Sequence, residues 1–176
     1  MPALAPRFEW ALERLALRPT DRVLEIGCGH GIALALVADR LSAGHVLGID
    51  RSARMTALAR TRNAPAIRAG RATVRTGALR DVDLGTDRFD LVFAINVALF
   101  AGPCDRELAR LRDVLAPDGR ILAFYQAPAW AHALRFGADA RPRFEHAGFA
   151  VEVEEHPPIG VVVAAHAQQS ARAGTM

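Results

Sequence analysis

Two carboxylates and three glycines stand out in this chain by type and spacing. They lie in Glu25-Ile26-Gly27-Cys28-Gly29-His30-Gly31 and in Gly48-Ile49-Asp50. An apolar run from Val23 leads into the glycines, and a helical pattern follows them. Glycines at such a turn let the backbone bend sharply and approach a ligand without side-chain collision. Free amides at the helix start face a negatively charged group. Asp50 ends the next apolar run, where a carboxylate accepts hydrogen bonds from both hydroxyls of a ribose. Taken singly, Glu25 and Asp50 read as polar strand ends; together with the loop they describe a site for a nucleoside-containing ligand. The spacing is G-x-G-x-G. A dinucleotide fingerprint needs glycine at position 32, where Ile32 stands, so a nicotinamide enzyme is disfavoured.

The elements that position these residues alternate between helical and strand periodicity, the pattern of a parallel sheet with helices on both faces. A helix is predicted over 7–17, with Phe8, Leu12 and Leu15 on one face. Strands are predicted at 22–27, 45–50, 72–76, 89–96 and 120–125. Helices are predicted at 31–41, at 52–63 with Ser52 as N-cap, and at 105–115. Pro117-Asp118-Gly119 reads as a turn, and 129–147 as partly helical, interrupted at Gly137 and Pro142. The last strands, 151–155 and 159–166, have no helix between them and must pair as an antiparallel hairpin, since a parallel return needs a crossover. The expected fold is α/β: a Rossmann-like, doubly wound, seven-stranded, mostly parallel sheet with a C-terminal antiparallel hairpin. Residues 1–166 read as one domain, 1–20 as an N-terminal helix and lid, and 167–176 as a loose tail.

Composition narrows the remaining classes. The chain has 176 residues, half of them hydrophobic, enough to bury a core. No apolar run reaches membrane-spanning length, and Arg7 and Glu9 interrupt any secretory signal, so the cytoplasm is the expected location. Cys28 and Cys104 fit neither a disulfide scaffold nor a zinc site and read as reduced, and no metal is expected. All 22 basic residues are arginine, for a net charge of +3. Eight arginines fall between Arg51 and Arg80 with no Asp or Glu among them. Such a stretch is either an ordinary solvated face or an attractant for anionic partners.

At this point the chain resembles the class I S-adenosylmethionine-dependent methyltransferases, over nearly all of residues 20–166 and in the family's order. The family's motif is E/D-x-G-x-G-x-G, which Glu25, Gly27, Gly29 and Gly31 match. The resemblance implies S-adenosylmethionine as cofactor and S-adenosylhomocysteine as product. It places the glycine loop, with Cys28 inside it, against the methionine part and Glu25 at that end of the site. Asp50, followed by Arg51, would hold the ribose, and Met55 would lie near the adenine. Ala94, Ile95 and Asn96 would end the fourth strand beside the methionine amino group and the methyl acceptor. Leu115-Ala116-Pro117-Asp118-Gly119 is similar to the family's L-x-P-G-G turn. The chain departs from the family after the third strand, where an Asp often meets the adenine amino group. Here Ala78 has no side-chain acceptor, which leaves the adenine to the backbone of Ala78 and Leu79, or to Asp81.

Asn96 and Tyr125 are the candidate catalytic residues, with Val97, Phe100 and Gln126 beside them. His30, His132 and His156 are candidate bases, but His30 reads first as a cofactor-covering or helix-capping residue and the other two as surface histidines. The sequence from Asn96 is Asn-Val-Ala-Leu and not the [D/N/S]-P-P-[Y/F/W] of the family's DNA and amide amino-methyltransferases. The acceptor expected is therefore a small, partly apolar molecule, methylated by in-line displacement. The alternatives are an RNA or nucleotide methyltransferase using the arginine-rich 51–80 face, and an S-adenosylmethionine-binding protein that does not methylate.

Overall fold

The computed structural model describes residues 5–86, 88–127 and 129–167. Five strands run parallel: β1 (Arg22–Ile26), β2 (His45–Asp50), β3 (Ala72–Thr76), β4 (Phe89–Ile95) and β5 (Leu115–Tyr125). β6 (Phe149–His156) and β7 (Gly160–Ala167) form the antiparallel hairpin, and β7 lies beside β5. The order is β3-β2-β1-β4-β5-β7-β6, the seven-stranded sheet expected. The winding reverses between β1 and β4, which opens a crevice at the carboxyl ends of those strands. The register sets its floor: Ile26 pairs with Ile49 on one side and Ala94 on the other. The glycine loop, Asp50 and Asn96 therefore leave the sheet at one level.

Side chains alternate across these buried strands, so each face meets its own helical layer. Val23, Val46, Leu91 and Phe93 face α1 (Pro6–Leu15), α2 (Ile32–Ala38), α3 (Ala53–Arg62) and α4 (Ala64–Arg68). Leu24, Ile49, Val92 and Ala123 face α5 (Asp105–Val114), α6 (Trp130–His146) and a 3₁₀ turn at Ala98–Ala101. α1 is fixed to the sheet by contacts along its length. Trp10 meets Phe124 edge-on at 5.1 Å and stacks on His156 at 5.5 Å. Arg120 donates to the carbonyls of Leu15 and Ala16, and Arg14 pairs with Glu154.

The structure revises the local reading at four points. Gly137 and Pro142 do not interrupt α6, which is one helix of 17 residues. Gly137 is the point of closest approach to β6, since a Cβ there would stand 2.8 Å from Val153 Cγ1. Pro142 sits on the exposed side, where a missing N–H bond is tolerated best. Pro117-Asp118-Gly119 is not a turn before β5 but an irregularity within it: Phe89 pairs with Leu115, and pairing resumes at Leu91 with Arg120. The short α4, which begins with Ala64-Pro65, was not expected. β7 extends through Ala167, and the expected tail beyond it lies outside the described residues. Among the described residues no helix is long and apolar enough to cross a membrane.

Phe144 is fully buried, with Phe100 at 5.0 Å and Phe149 at 5.8 Å between ring centroids. It joins α6 to the 3₁₀ turn under the site. Phe144→Ala is expected to cost about 3–5 kcal/mol. Urea unfolding should show the midpoint falling with its slope unchanged.

Candidate functional site

The loop after β1 is made by backbone geometry that few residues allow. Gly27 and Gly31 have φ of 70° and 76°, in the left-handed region. A Cβ on Gly27 would stand 2.5 Å from Val97 Cγ2, and one on Gly31 would run into the Asn63 amide. Both positions thus need glycine for conformation and for space. The loop is tied to its neighbours at every turn. The amides of Gly27 and Cys28 donate to the Ile49 carbonyl at 2.8 and 3.0 Å. Buried Asn63 donates to the Gly31 carbonyl at 3.0 Å, and Arg62 donates to the His30 carbonyl at 3.0 Å.

Asp50 closes the arrangement. Its Oδ2 accepts from the Gly29 amide at 2.9 Å and its Oδ1 from the Ser52 amide at 2.9 Å. One carboxylate thereby joins the glycine loop to the start of α3. Each oxygen retains a second lone-pair direction. Glu25 lies below, 3% exposed, with Oε2 buried and without a hydrogen-bond partner. Burial, and then the charge of Asp50, hold its carboxyl well above the usual carboxylate range. The same burial pushes the Cys28 thiol up to about 12 and Cys104 to about 11, so both stay protonated at neutral pH.

Two spaces meet at the carboxyl ends of β1 and β4. A cavity of about 560 Å³ runs from Gly27 past Asp50 and Arg51 to Ala78, Leu79 and Glu107. A cleft of about 200 Å³ lies on the other flank, walled by Arg7, Phe8, Glu25, Gly29 and His30. Asn96 lines both. It is a non-glycine residue at φ 55°, a conformation Asn tolerates better than most. Its amide donates to the Phe124 carbonyl at 2.9 Å and its Oδ1 accepts from the Gln126 amide at 2.6 Å. Its Nδ2 makes no hydrogen bond among the described residues, and Oδ1 keeps a second lone pair.

Most of the expected cofactor residues therefore converge. Glu25, Gly27, Cys28, Gly29, Asp50, Arg51, Ala78, Leu79 and Asn96 line one space or both. Gly31 is buried as the N-cap of α2. Met55 and Tyr125 stand outside the lining of both; Tyr125 stacks on Phe136 with centroids 4.4 Å apart. His132 is exposed on α6, and His156 stacks on Trp10. Arg7 and Glu107 are the charged residues that sequence reading missed. Neither stands next to the motif, and nothing in their own surroundings in sequence marks them.

The arginine-rich 51–80 stretch is not one continuous face. Arg75 pairs with Asp83 at 3.3 Å and Arg80 with Asp81 at 3.2 Å. Arg60, Arg62 and Arg71 donate to backbone carbonyls of neighbouring elements. Arg51, Arg54 and Arg68 make no hydrogen bond or ion pair among the described residues.

Comparison with known proteins identifies the chain's family. Residues 23–119 match the family described as "Methyltransferase domain". The chain is 34% identical over 112 residues to a trans-aconitate 2-methyltransferase of Deinococcus radiodurans, covering 64% of this chain and 40% of that protein. It is 33% identical over 138 residues to a protein-L-isoaspartate O-methyltransferase of Methylorubrum extorquens, covering 78% and 56%. The chain thus spans about a third to a little over half of the curated relatives it matches. A solved S-adenosylmethionine-dependent methyltransferase from Aquifex aeolicus superposes with a TM-score of 0.73 at 19% identity, over 90% of this chain and 88% of that one.

Glu25 links the site to stability. Its native carboxyl keeps its proton above the unfolded value of about 4.3. Between those two values the native state binds the extra proton, so stability is full at low pH and declines as pH rises through that window. Glu25→Gln removes the decline. The variant without ligand is expected to be more stable than wild type at pH 7.5, with a flatter pH profile in urea unfolding. A wild-type profile that falls no more steeply above pH 5 than that of Glu25→Gln would contradict the burial of this carboxyl.

Proposed function

Because the chain belongs to the methyltransferase-domain family, whose cofactor is S-adenosylmethionine, we propose that it transfers the methyl group to a small, carboxylate-bearing molecule. The observation that carries the placement of the cofactor is Glu25 Oε2, a buried oxygen without a partner in the wall beside the glycine loop. Such an oxygen fits an ammonium group. Arg7, on the rim of the same cleft, fits the neighbouring carboxylate of an amino-acid end. The free lone pairs of Asp50 fit the two ribose hydroxyls, and the apolar slot of Ile49, Ala78, Leu79 and Leu99 fits a purine. When bound, the cofactor supplies a methyl group on a positively charged sulfur, already activated for displacement.

The chain's residues then have three tasks. The glycine loop and Asp50 fix the donor's position, which turns the reaction into an aligned, effectively unimolecular encounter. Asn96 stands at the junction of the two spaces with its Nδ2 donors unengaged among the described residues, so it suits an acceptor oxygen that carries negative charge. Among the described residues His30 is the one histidine lining either space, and it is exposed. A carboxylate is ionised at neutral pH and needs no base to remove a proton. Both relatives quoted above are named for acceptors of the carboxylate kind, which supports this reading.

An RNA or nucleotide acceptor is the second reading, favoured by the unengaged Arg51, Arg54 and Arg68. The two are separated by incubating the protein with methyl-labelled S-adenosylmethionine and either a panel of small carboxylic acids or total RNA. Label is expected in a small acid as a methyl ester, released as methanol by mild alkali. Asn96→Ala should slow that transfer by about 10–100-fold. Alkali-stable label in RNA, weakening steeply with salt, would overturn the carboxylate reading.

A further inference from the structure

We infer that Glu107 of α5 reads the exocyclic amino group of the cofactor's adenine, the role for which Ala78 has no side chain. The inference rests on the S-adenosylmethionine reading of the cavity. If Asp50 takes the ribose, the base extends toward the segment after β3, where Gly77, Ala78 and Leu79 line the cavity. Ala78 and Leu79 offer apolar surface and backbone, and the Ala78 carbonyl already accepts from the Asp81 and Val82 amides at 2.9 Å. An adenine amino group buried there without an acceptor would lose a hydrogen bond to water and gain none.

Three carboxylates lie near enough in the fold to be considered, and two are otherwise engaged. Asp50 is held by the Gly29 and Ser52 amides at the end of β2. Asp81 is exposed, paired with Arg80 and outside the cavity lining. Glu107 lines the cavity, is half-buried, and makes no hydrogen bond or ion pair among the described residues. Its placement is not accidental to α5. Arg110, one turn later on the same side of the helix, donates to the carbonyls of Arg80 (2.8 Å) and Val82. Those bonds fasten α5 to the segment after β3, so that Glu107 lines the same cavity as Ala78 and Leu79. Leu108 and Leu111, on the buried side of α5, anchor the helix in the core with Leu79 and Val82.

A carboxylate accepts from an amino group but repels a carbonyl oxygen. Glu107 therefore sets a preference for adenine over a 6-oxo purine, and the test is a binding test. Wild type, Glu107→Ala and Glu107→Gln are titrated calorimetrically with S-adenosylhomocysteine and with its 6-oxo analogue, S-inosylhomocysteine. Wild type is expected to favour the adenosyl ligand by about tenfold or more. Glu107→Ala should lose about that factor for the adenosyl ligand and little for the inosyl one, bringing the ratio near unity. Glu107→Gln, which both accepts and donates, should keep part of the adenosyl affinity and gain inosyl affinity. Unchanged discrimination in both folded variants, or an equal loss for both ligands, would overturn the assignment while leaving the cofactor reading intact. Wild-type protein that binds neither ligand would overturn both.

Discussion

The Asp50 carboxylate is the joint on which the site turns. β1 and β2 end side by side, and past the bonds of Gly27 and Cys28 to the Ile49 carbonyl the loops that leave them lack ladder hydrogen bonds. Asp50 replaces those bonds by accepting from Gly29 on one loop and Ser52 on the other. Charge-assisted bonds to backbone amides are stronger than neutral ones. The glycine loop can therefore keep its left-handed turns without side-chain packing of its own. Arg62 and Asn63 complete the brace from α3 by reaching the carbonyls of His30 and Gly31. What remains exposed to the crevice is backbone and a pair of carboxylate oxygens with lone pairs to spare.

Beneath this joint the protein accepts an unfavourable group. Glu25 is buried beside an apolar sheet face, and one of its oxygens has no partner. Burying such a group without a partner costs stability, and Asp50 nearby raises the cost further. A hydrophobic residue of similar shape would serve the fold better. A cationic ligand group of the kind proposed above would give that oxygen the partner it lacks. The site is thus built from one carboxylate that the backbone satisfies and one that it leaves wanting.

The residues close in sequence to the turn were the ones that sequence reading located. Gly27, Gly29, Gly31 and Asp50 form a local pattern, because strand, turn and helix N-terminus are contiguous there. The seven strands and their antiparallel end were legible for a similar reason: periodicity and the absence of a helix between the last two strands decide them. Gly137 and Pro142 misled, since their effect on α6 depends on what faces them. Gly137 meets Val153 from a strand that follows, and Pro142 meets solvent. Arg7 and Glu107 were invisible because α1 and α5 bring them to the crevice from opposite sides of the sheet. Their role depends on tertiary ties, such as Arg110 to Arg80 and Arg120 to Leu15, that no local pattern records. Met55 and Tyr125 had suitable positions in sequence, yet they stand outside the lining of both spaces.

Fold and family leave many acceptors open, whereas the cofactor site makes a sharp claim about one carboxylate. The most direct measurement is calorimetric titration of the protein with S-adenosylhomocysteine, alongside Asp50→Ala. Wild type should bind in the micromolar range, roughly −8 kcal/mol, and the variant should lose that binding while remaining folded by circular dichroism. A folded wild type with no affinity, or an Asp50→Ala variant that binds as tightly as wild type, would contradict the assignment of this crevice.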